Sequence, residues 1–440
     1  MEDKIIFPSK YIRWKRKGQI FYFDLLNWSY ISINSDGEKI LSLIRQGYTI
    51  DQIVQRLRNY YLVSPDIIKQ KVNRFVTQLI REGFLHFKTY RPKIETISFI
   101  PPDHPHVIYL HVTYRCNLQC TYCYNADYRV NFSGQELRTQ DFLEAIDQIG
   151  DIGAREIIFT GGEPLLRPDI FRIANYARRK GFKVQLFTNG TLITRENAKR
   201  ISETFHRVMV TLDGHVPEVH EKHRGVGTFN KVTKAIKSLT DLNVDLVVST
   251  VITKYNIDSY IDICEYALNN LGANTVLMVP CELWKSWDEY QKLMPPLDKF
   301  FKLRRLVAQK YRVPEIPLIP RNQCGAGTGE IAIGPDGSVY PCQNLLMGEF
   351  ICGNIRETNL TKIYTNSSIL RMFKELTVED IEVCNKCDLK YLCAGGCRAT
   401  AYKLYNDIKA YNERFCKMYR MATIDILEGM SYPYKIFKAH

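Results

Sequence analysis

The stretch HVTYRCNLQCTYCYN, residues 111–125, decides the fold because it joins a strand pattern to three closely spaced cysteines. Cys116, Cys120 and Cys123 form a C-x₃-C-x₂-C loop directly after the apolar run VIYLHV. Three thiolates in a short loop can surround one small metal centre. A [4Fe–4S] cluster normally has four cysteine ligands, so this loop predicts a cluster with one iron open to bind a ligand. A structural zinc site with a distant fourth ligand is the alternative.

Strand and helix patterns alternate from about residue 106 to residue 310. Repeated βα units predict a parallel sheet, either an open sheet or a barrel. The six strand patterns fall short of the eight strands of a full barrel. We therefore predict an α/β fold built on a partial (β/α)₆ TIM barrel, with its chemistry at the carboxyl ends of the strands. The strand patterns are VIYLHV, REIIFT, KVQLFT, RVMVTLD, VDLVVSTVI and NTVLMVP, and the helical patterns lie at 139–149, 169–180, 194–203, 228–241 and 257–270.

Glycine and polar residues follow three of these strands. FTGGEP ends the second, TNG at residues 188–190 ends the third, and TLDG at residues 211–214 ends the fourth. Glycines let a backbone approach a ligand closely, and carbonyl groups at a strand end are free to bind an ammonium group. These segments predict a ligand site beside the cysteine loop, although such residues can also serve only to form turns.

A second group of cysteines lies in an irregular stretch from about residue 311 to residue 420. The stretch has few long periodic segments, so it needs metals or other staples for stability. C-x₂-C pairs commonly hold zinc, which is the interpretation that this group alone would favour. The cysteines are Cys324, Cys342, Cys384, Cys387, Cys393, Cys397 and Cys416, whereas Cys264, Cys281 and Cys352 stand apart.

The first 95 or so residues have a different rhythm. Alternating apolar residues predict short strands near Ile20 and Ile31, and three helical patterns follow, the last beginning at Ser64-Pro65. Short strands followed by three small helices predict a winged-helix-like α+β module. The segment from Lys88 to Pro105 contains four prolines and predicts a linker.

Charge and composition limit the kind of protein. The 440 residues carry a net charge of +13, and residues 1–100 hold 17 Lys and Arg against 9 Asp and Glu, a net charge of +8. Such a charge can serve to bind nucleic acid, a membrane or an acidic polypeptide, but on charge alone a solvated basic surface is the favoured interpretation. The start MEDKIIFPSK lacks the apolar core of a secretory signal, and no window is apolar enough to span a membrane. Clustered cysteines in a reducing compartment usually bind metals, so we expect a cytoplasmic protein.

The cysteine loop resembles the signature of the radical S-adenosylmethionine (radical SAM) superfamily, and FTGGEP resembles a second segment of that family. The resemblance implies that the amino and carboxylate groups of SAM bind the open iron. One electron then yields a 5′-deoxyadenosyl radical that abstracts a hydrogen from the substrate. It also implies that Cys116, Cys120 and Cys123 are catalytic as cluster ligands, and that SAM contacts Tyr122, Gly161, Gly162, Glu163, Pro164, Thr188, Asn189, Thr211 and Asp213.

The second cysteine group resembles the SPASM domain of radical SAM enzymes that modify peptides. That resemblance implies two auxiliary [4Fe–4S] clusters, and so three clusters in all. One auxiliary cluster takes Cys324, Cys342 and Cys397, which leaves one iron open to a substrate thiolate or to a distant residue such as Cys281. The other cluster takes Cys384, Cys387, Cys393 and Cys416.

The N-terminal stretch resembles the recognition element of enzymes that modify ribosomally synthesised peptides (RiPPs). The resemblance implies that a precursor peptide docks its leader as an added strand, in a groove between residues 27–33 and the helix around 65–82. The basic charge of this stretch favours an acidic leader. The alternatives are a small helical domain that only supports the barrel and a DNA-binding winged helix. We expect an electron donor such as flavodoxin or ferredoxin, and no nucleic-acid partner. The implied domains are 1–95, 96–310 and 311–425, with a C-terminal tail at 426–440.

As a whole the chain resembles sactipeptide maturases of the subtilosin type, which implies a thioether between a cysteine sulfur and a peptide carbon. Other radical SAM outcomes stay open, namely epimerisation, carbon–carbon cross-linking, oxidative decarboxylation or a sulfatase-type maturation. A zinc-binding adaptor without catalytic activity is the alternative from another class. The change in peptide mass separates a cross-link, which removes two hydrogens, from epimerisation, which removes none.

Overall fold

The structure, a computed structural model, describes residues 5–9, 11–16, 19–24, 30–61, 63–87, 104–281, 287–311, 321–387, 389–427 and 435–437. Most of the expected linker and of the expected tail lies outside the described residues. The chain divides into two compact units. The first comprises residues 1–100 with Cys387–Leu389, and the second comprises the remaining residues.

The first unit contains a three-stranded antiparallel sheet, three helices and a separate pair of short strands. The strands are β1 (Ile5–Ile6), β2 (Tyr11–Arg16), β3 (Gln19–Asp24), β4 (Tyr30–Ile33) and β5 (His86–Phe87), and the helices are α1 (Ser35–Arg45), α2 (Ile50–Leu57) and α3 (Pro65–Arg81). The sheet order is β2-β3-β4, whereas β1 pairs with β5. The predicted order of strands and three helices is confirmed, and β4 lies at an edge of its sheet.

Side-chain pattern and helix capping explain the elements of the first unit. Ile20 and Tyr22 of β3, and Ile31 and Ile33 of β4, are buried in one core. Alternate residues of a strand point to the same face, so these four positions give the sheet one apolar side. Each helix follows an N-cap residue whose side chain accepts a hydrogen bond from a backbone N–H of the first turn. The N-cap residues are Asn34, Thr49 and Ser64.

The second unit is built on a ten-stranded sheet. Its strands are β6 (Val107–Thr113), β7 (Glu156–Gly161), β8 (Lys183–Thr188), β9 (Arg207–Thr211), β10 (Leu246–Ile252), β11 (Thr275–Pro280), β12 (Glu330–Ile333), β13 (Ser338–Tyr340), β14 (Gly353–Asn354) and β15 (Lys435–Phe437). Its helices are α4 (Ala126–Asn131), α5 (Thr139–Asp151), α6 (Ile170–Arg179), α7 (Arg195–Thr204), α8 (Pro217–Arg224), α9 (Phe229–Thr240), α10 (Tyr260–Glu265), α11 (Trp287–Gln291), α12 (Leu297–Lys310), α13 (Leu360–Asn366), α14 (Ser368–Glu375), α15 (Lys390–Cys393), α16 (Arg398–Tyr405) and α17 (Glu413–Leu427).

Parallel pairing dominates this sheet. Strands β6 to β11 lie side by side in chain order and run parallel, and β12 pairs with β6 in the same direction. The full order is β14-β13-β12-β6-β7-β8-β9-β10-β11-β15, which leaves the sheet open. The predicted α/β fold with a partial barrel is therefore confirmed. The structure adds β12, which the sequence patterns did not identify as a barrel strand.

Both faces of the parallel strands are covered. Ile108, Leu110 and Val112 of β6 are fully buried in the main core with apolar residues of the helices, whereas Tyr109 and His111 occupy the alternate positions that face the other way. Such double burial is typical of parallel sheets. The active face of the unit is therefore expected at the strand ends.

The pattern at 257–270 departs from the predicted single helix. It forms a 3₁₀ turn (Ile257–Ser259), then α10, then a π turn (Tyr266–Asn270). Cys264 of α10 is fully buried in the main core, and Cys352 is partly buried against it, which suits ordinary core thiols. Among the described residues, no helix is both long and apolar enough to cross a membrane.

We expect His111 to make stability depend on pH. It is fully buried, and neither ring nitrogen has a hydrogen-bond partner among the residues that the structure describes. Burial lowers its pKa to about 3, against about 6.5 in an unfolded chain. Between these values the unfolded chain binds the extra proton. Stability therefore falls as pH decreases from about 6.5, by up to about 1.4 kcal/mol per pH unit.

Thermal unfolding followed between pH 8 and pH 5 tests this. The midpoint should be flat above about pH 7 and fall below it, and His111→Phe should fall less steeply than wild type. An unchanged slope in the variant would contradict the assignment to His111.

Candidate active site

The cysteine loop follows β6 at the carboxyl end of the parallel strands. Cys116, Cys120 and Cys123 are all half-buried. The Cys123 N–H donates to the Cys120 carbonyl at 3.2 Å, and the Ala126 N–H donates to the Cys123 carbonyl at 3.1 Å. These bonds curl the loop into the start of α4. The three thiols thus lie on one short segment at the strand end that the sequence pattern predicts.

A nitrogen donor lies at each of the three sulfur atoms. The pairs are Arg224 Nη1 to Cys120 Sγ at 3.4 Å, Asn189 Nδ2 to Cys116 Sγ at 3.8 Å, and Arg129 Nη1 to Cys123 Sγ at 3.9 Å. Burial raises the pKa of the Cys116 and Cys120 thiols, and the nearby arginine charges act in the opposite direction. The nitrogen donors thus favour negative charge on sulfur, whereas burial opposes it.

The donor chemistry fits a [4Fe–4S] cluster. Thiolate is the ligand that such clusters use, and N–H donors at the sulfur atoms stabilise their negative charge. In the part of the chain that the structure describes, no group of three or more His, Cys, Asp or Glu side chains is placed to hold a single metal ion. The fit therefore rests on the three soft thiols and the cationic groups around them.

Two glycines bring the end of β7 against the cysteine loop. The Gly162 N–H donates to the Thr113 carbonyl at 2.7 Å, and the Glu163 N–H donates to the Arg115 carbonyl at 2.8 Å. A Cβ on Gly161 would collide with the Thr113 carbonyl oxygen, and one on Gly162 with that of Arg115. The glycines are thus required for contact between two backbone segments, in addition to the expected approach of a ligand.

Glu163 is fully buried and joins the ends of β7 and β8. Its Oε1 accepts from the Thr188 hydroxyl at 2.7 Å and from the Leu165 N–H at 3.0 Å, and its Oε2 accepts from the Asn189 N–H at 2.8 Å. Burial raises the pKa of Glu163, although these hydrogen bonds oppose the shift. Three predicted residues thus contact one another, and Pro164 begins a buried 3₁₀ turn beside them.

Tyr122 and Asp213 come from separate motifs and are in contact. The Tyr122 hydroxyl donates to Asp213 Oδ2, and Arg224 Nε donates to the same oxygen at 2.7 Å. The Val251 N–H donates to Asp213 Oδ1 at 3.0 Å. Burial opposes ionisation of Asp213, but the Arg224 charge holds the pKa of this carboxyl below its ordinary value. The fourth strand end is thereby fixed to the cysteine loop.

Thr211 stands apart from the other predicted SAM contacts. Its hydroxyl lies 3.1 Å from the Ser249 hydroxyl on the neighbouring strand. No described hydrogen bond joins the Thr211 side chain to the cysteine loop. Within the segment TLDG, it is therefore Asp213 whose side chain contacts the cysteine loop, through Tyr122.

Sequence reasoning missed the basic residues that surround the loop. Besides its contact with sulfur, Arg129 donates to the carbonyls of Cys116 at 3.5 Å and Leu118 at 2.9 Å. His223 lies between two hydroxyl groups, those of Thr121 at 2.8 Å and Thr253 at 2.9 Å. The available signal for His223 and for Arg224 was the basic run HEKHR at 220–224, which follows TLDG closely.

The cysteines of the first expected auxiliary site lie together. Burial raises the pKa of Cys324 to about 11 and also raises the pKa of Cys342. The charge of the neighbouring Cys397 raises both values as well. Cys281 belongs instead to an apolar cluster with Tyr122. The three thiols share a small core with Ala326, Leu345, Phe350, Phe373 and Ala399.

Three cysteines of the second expected auxiliary site, Cys384, Cys393 and Cys416, lie in the second unit. The pKa of Tyr411 is raised to about 12, chiefly by burial and then by a hydrogen bond with Cys416. The charge of Cys384 raises the same pKa, so both cysteines lie near this tyrosine. Cys393 ends α15, which contacts α17, the helix that carries Cys416. Cys387 belongs to the first unit. The four-cysteine set stays a prediction.

A groove runs between β4 and α3 in the first unit. Residues 27–29 of the expected groove lie outside the described residues, whereas the following residues line it as expected. The outer edge of β4 has no strand beside it in the described structure. The lining includes Ile31, Ser32, Ile33, Phe75, Gln78 and Leu79.

Three family models match separate parts of the chain. The radical SAM superfamily model matches residues 110–267, the SPASM iron–sulfur cluster-binding domain matches residues 324–388, and coenzyme PQQ synthesis protein D (PqqD) matches residues 20–85. The first match covers the cysteine loop and the strand ends around it. The third covers the groove between β4 and α3.

Two curated relatives and one solved structure extend these matches. The AdoMet-dependent heme synthase of Oleidesulfovibrio alaskensis is 31% identical over 327 residues, which are 67% of this chain and 82% of that protein. The mycofactocin maturase MftC of Mycobacterium tuberculosis is 28% identical over 317 residues, 68% of this chain and 80% of that protein. Streptococcus suis SuiB bound to S-adenosylmethionine has a TM-score of 0.60 at 15% identity, over 93% of this chain and 99% of SuiB. The likeness to SuiB shows a shared fold.

We expect Gly162→Ala to destabilise the second unit and to disturb the cysteine loop. The added methyl group collides with the Arg115 carbonyl, and overpacking of this kind costs about 1–3 kcal/mol. The thermal midpoint and the iron content after anaerobic reconstitution should both fall. Gly348→Ala is the matched control, because nothing lies within 4 Å of its added Cβ. Equal behaviour of the two variants would refute the backbone contact.

Proposed function

This chain belongs to the radical SAM superfamily, and on that premise we propose that it modifies a ribosomally synthesised precursor peptide by forming a thioether. The observation that carries the proposal is the presence in one chain of the cysteine loop and of a PqqD-like unit with an open groove. The likeness to the mycofactocin maturase supports a peptide substrate. We keep the domain limits 1–95, 96–310, 311–425 and 426–440 as part of the proposal.

The cysteine loop is proposed to hold the catalytic cluster, and the strand ends around it to hold SAM. Bound together, these groups supply a 5′-deoxyadenosyl radical that takes a hydrogen atom from the peptide. The chain's own residues orient them: Glu163 joins two strand ends, and Asp213 fixes Tyr122. The cluster ligands are Cys116, Cys120 and Cys123, and the SAM contacts are Tyr122, Gly161, Gly162, Glu163, Pro164, Thr188, Asn189, Thr211 and Asp213.

The SPASM region is proposed to hold two auxiliary [4Fe–4S] clusters, which makes three in all. The grouping of Cys324, Cys342 and Cys397 in one small core supports the first of them. Three ligands would leave one iron open to a soft thiolate, and a cysteine of the peptide is the thiolate that we propose. The ligands proposed for the other cluster are Cys384, Cys387, Cys393 and Cys416.

The groove between β4 and α3 is proposed to bind the leader of the precursor. An extended peptide can add a strand to an open sheet edge, with side chains entering the pocket beside it. Lys71, Arg74 and Arg81 are exposed on α3 outside the groove lining. Their charge favours an acidic leader, although Glu82 in the lining acts against it. A docked leader holds the core of the peptide near the active site, so that the reaction becomes effectively unimolecular.

Thioether formation removes two hydrogens from the peptide. One leaves as an atom with the adenosyl group. The thiol hydrogen leaves as a proton, and one electron leaves through the auxiliary sites. A donor of the flavodoxin or ferredoxin class is proposed to supply the electron that begins each cycle, and we place the reaction in the cytoplasm.

Oxidative decarboxylation of the peptide is a second candidate among the outcomes that the family resemblance leaves open. It releases carbon dioxide, whereas thioether formation does not. Tandem mass spectrometry of the product distinguishes the two reactions. A loss of two hydrogens located at a cysteine supports the first candidate.

We expect Cys116→Ala to abolish SAM cleavage. The variant lacks one of three cluster ligands, so 5′-deoxyadenosine released during anaerobic incubation with SAM and dithionite should fall to background. Cys352→Ala is the matched control, since Cys352 is a partly buried core thiol outside the expected ligand sets. Wild-type protein that assembles no SAM-responsive cluster would overturn the proposed function.

We expect Phe75→Ala to weaken binding of a synthetic peptide that carries an acidic leader. The ring lines the groove, and removing a buried aromatic anchor costs about 2 kcal/mol or more, which is over tenfold in Kd. Fluorescence anisotropy of the labelled peptide measures the change. Tyr60→Ala is the control, because that ring is 72% exposed and does not line the groove. Equal losses in both variants would exclude the groove.

A further inference from the structure

Arg224 is a buried cation with two partners at the cysteine loop. It is the last residue of α8, and its side chain is 11% exposed. Nε donates to Asp213 Oδ2 at 2.7 Å, while Nη1 of the same guanidinium group reaches Cys120 Sγ at 3.4 Å. The group also lies over the Tyr122 ring, 5.1 Å from its centroid. One side chain therefore connects a carboxylate with a cluster ligand.

Asp213 holds Arg224 in this position. The carboxylate is fully buried and is fixed by the Val251 N–H and the Tyr122 hydroxyl. A guanidinium group has fixed donor directions, so the Asp213 contact also sets the direction of Nη1. The positive charge of Arg224 stabilises negative charge on Cys120, whereas the negative charge of Asp213 destabilises it. Arg224 is the residue in contact with the sulfur atom.

We propose that Arg224 is a positioning residue that raises the reduction potential of the cluster on Cys116, Cys120 and Cys123, and that Asp213 limits this rise. The inference rests on the proposed function, because it requires that cluster. It assigns to the Asp213–Arg224 pair an effect on electron affinity that is separate from any contact with SAM.

The physical reason is the charge of the reduced cluster. Reduction adds an electron, and hydrogen bonds to the ligand sulfur atoms together with nearby positive charge stabilise the more negative state. The pair is shielded from water, so its field at sulfur is stronger than that of an exposed charge. Removing the Arg224 charge should lower the potential, whereas removing the Asp213 charge should raise it. A purely structural role would not give opposite signs.

Arg115 provides a matched control. It adjoins Cys116 in sequence and carries the same charge, but its side chain is 65% exposed and its nearest described anion is Glu136, at 3.8 Å. Solvent screens such a charge. Arg115→Gln should therefore leave the potential unchanged, which separates the buried contact from a general loss of positive charge.

The experiment is an anaerobic redox titration of the reconstituted full-length protein without SAM, followed by electron paramagnetic resonance. Adding SAM to reduced samples identifies the catalytic cluster, because only its signal should change. The proteins compared are wild type, Arg224→Gln, Arg224→Lys, Asp213→Asn and Arg115→Gln.

At a fixed potential, the ratio of reduced to oxidised catalytic cluster should fall about tenfold in Arg224→Gln, which is ~59 mV for a one-electron couple. The ratio should rise in Asp213→Asn, and Arg224→Lys should lie between Arg224→Gln and wild type. If Arg224→Gln assembles no cluster, the other two variants test the inference. The ratio should then be above the wild-type value in Asp213→Asn and below it in Arg224→Lys.

This inference is overturned if a SAM-responsive cluster is present but its reduction potential is unchanged, or shifts in the same direction, in Arg224→Gln and Asp213→Asn. The proposed function would still stand after that result. Absence of a SAM-responsive cluster in the wild-type protein overturns the proposed function as well.

Discussion

Contact between two backbone segments is the constraint on which the candidate site depends. The N–H groups of Gly162 and Glu163 bond to the carbonyls of Thr113 and Arg115, and a side chain at Gly161 or Gly162 would prevent this approach. The contact holds the cysteine loop at the strand ends of the sheet. It also directs the Glu163 carboxylate towards β8, so a single backbone contact orders two neighbouring loops.

Buried charge at the same edge of the sheet is paired. Arg167 donates to the carbonyls of Val112 and Leu137 at 3.1 Å and forms an ion pair with Asp169 at 2.8 Å, much as Arg224 pairs with Asp213. Breaking a buried pair by removing one partner costs about 3–5 kcal/mol. The chain therefore links its stability to the geometry of the loops, which is useful where a reactive radical has to be kept from water.

The two units carry different kinds of binding site. The second unit offers thiols with nitrogen donors beside them, which suit the proposed iron–sulfur cluster. The first offers an open sheet edge beside a basic helix, and backbone hydrogen bonds to such an edge bind a peptide with little dependence on its sequence. In the proposed function, binding through a leader would let the modified part of the peptide vary, because different residues would provide affinity and chemistry.

The sequence by itself determined the element types, the parallel order of β6 to β11 and the cysteine groups, because periodicity and spacing are local properties. The tertiary structure decided which distant residues meet. Tyr122 contacts Asp213 across 91 positions, and Arg224 reaches Cys120 across 104. It also decided that β12 joins the sheet beside β6. Such contacts leave no local periodicity, because they arise only when separate strand ends are brought to one edge of the sheet.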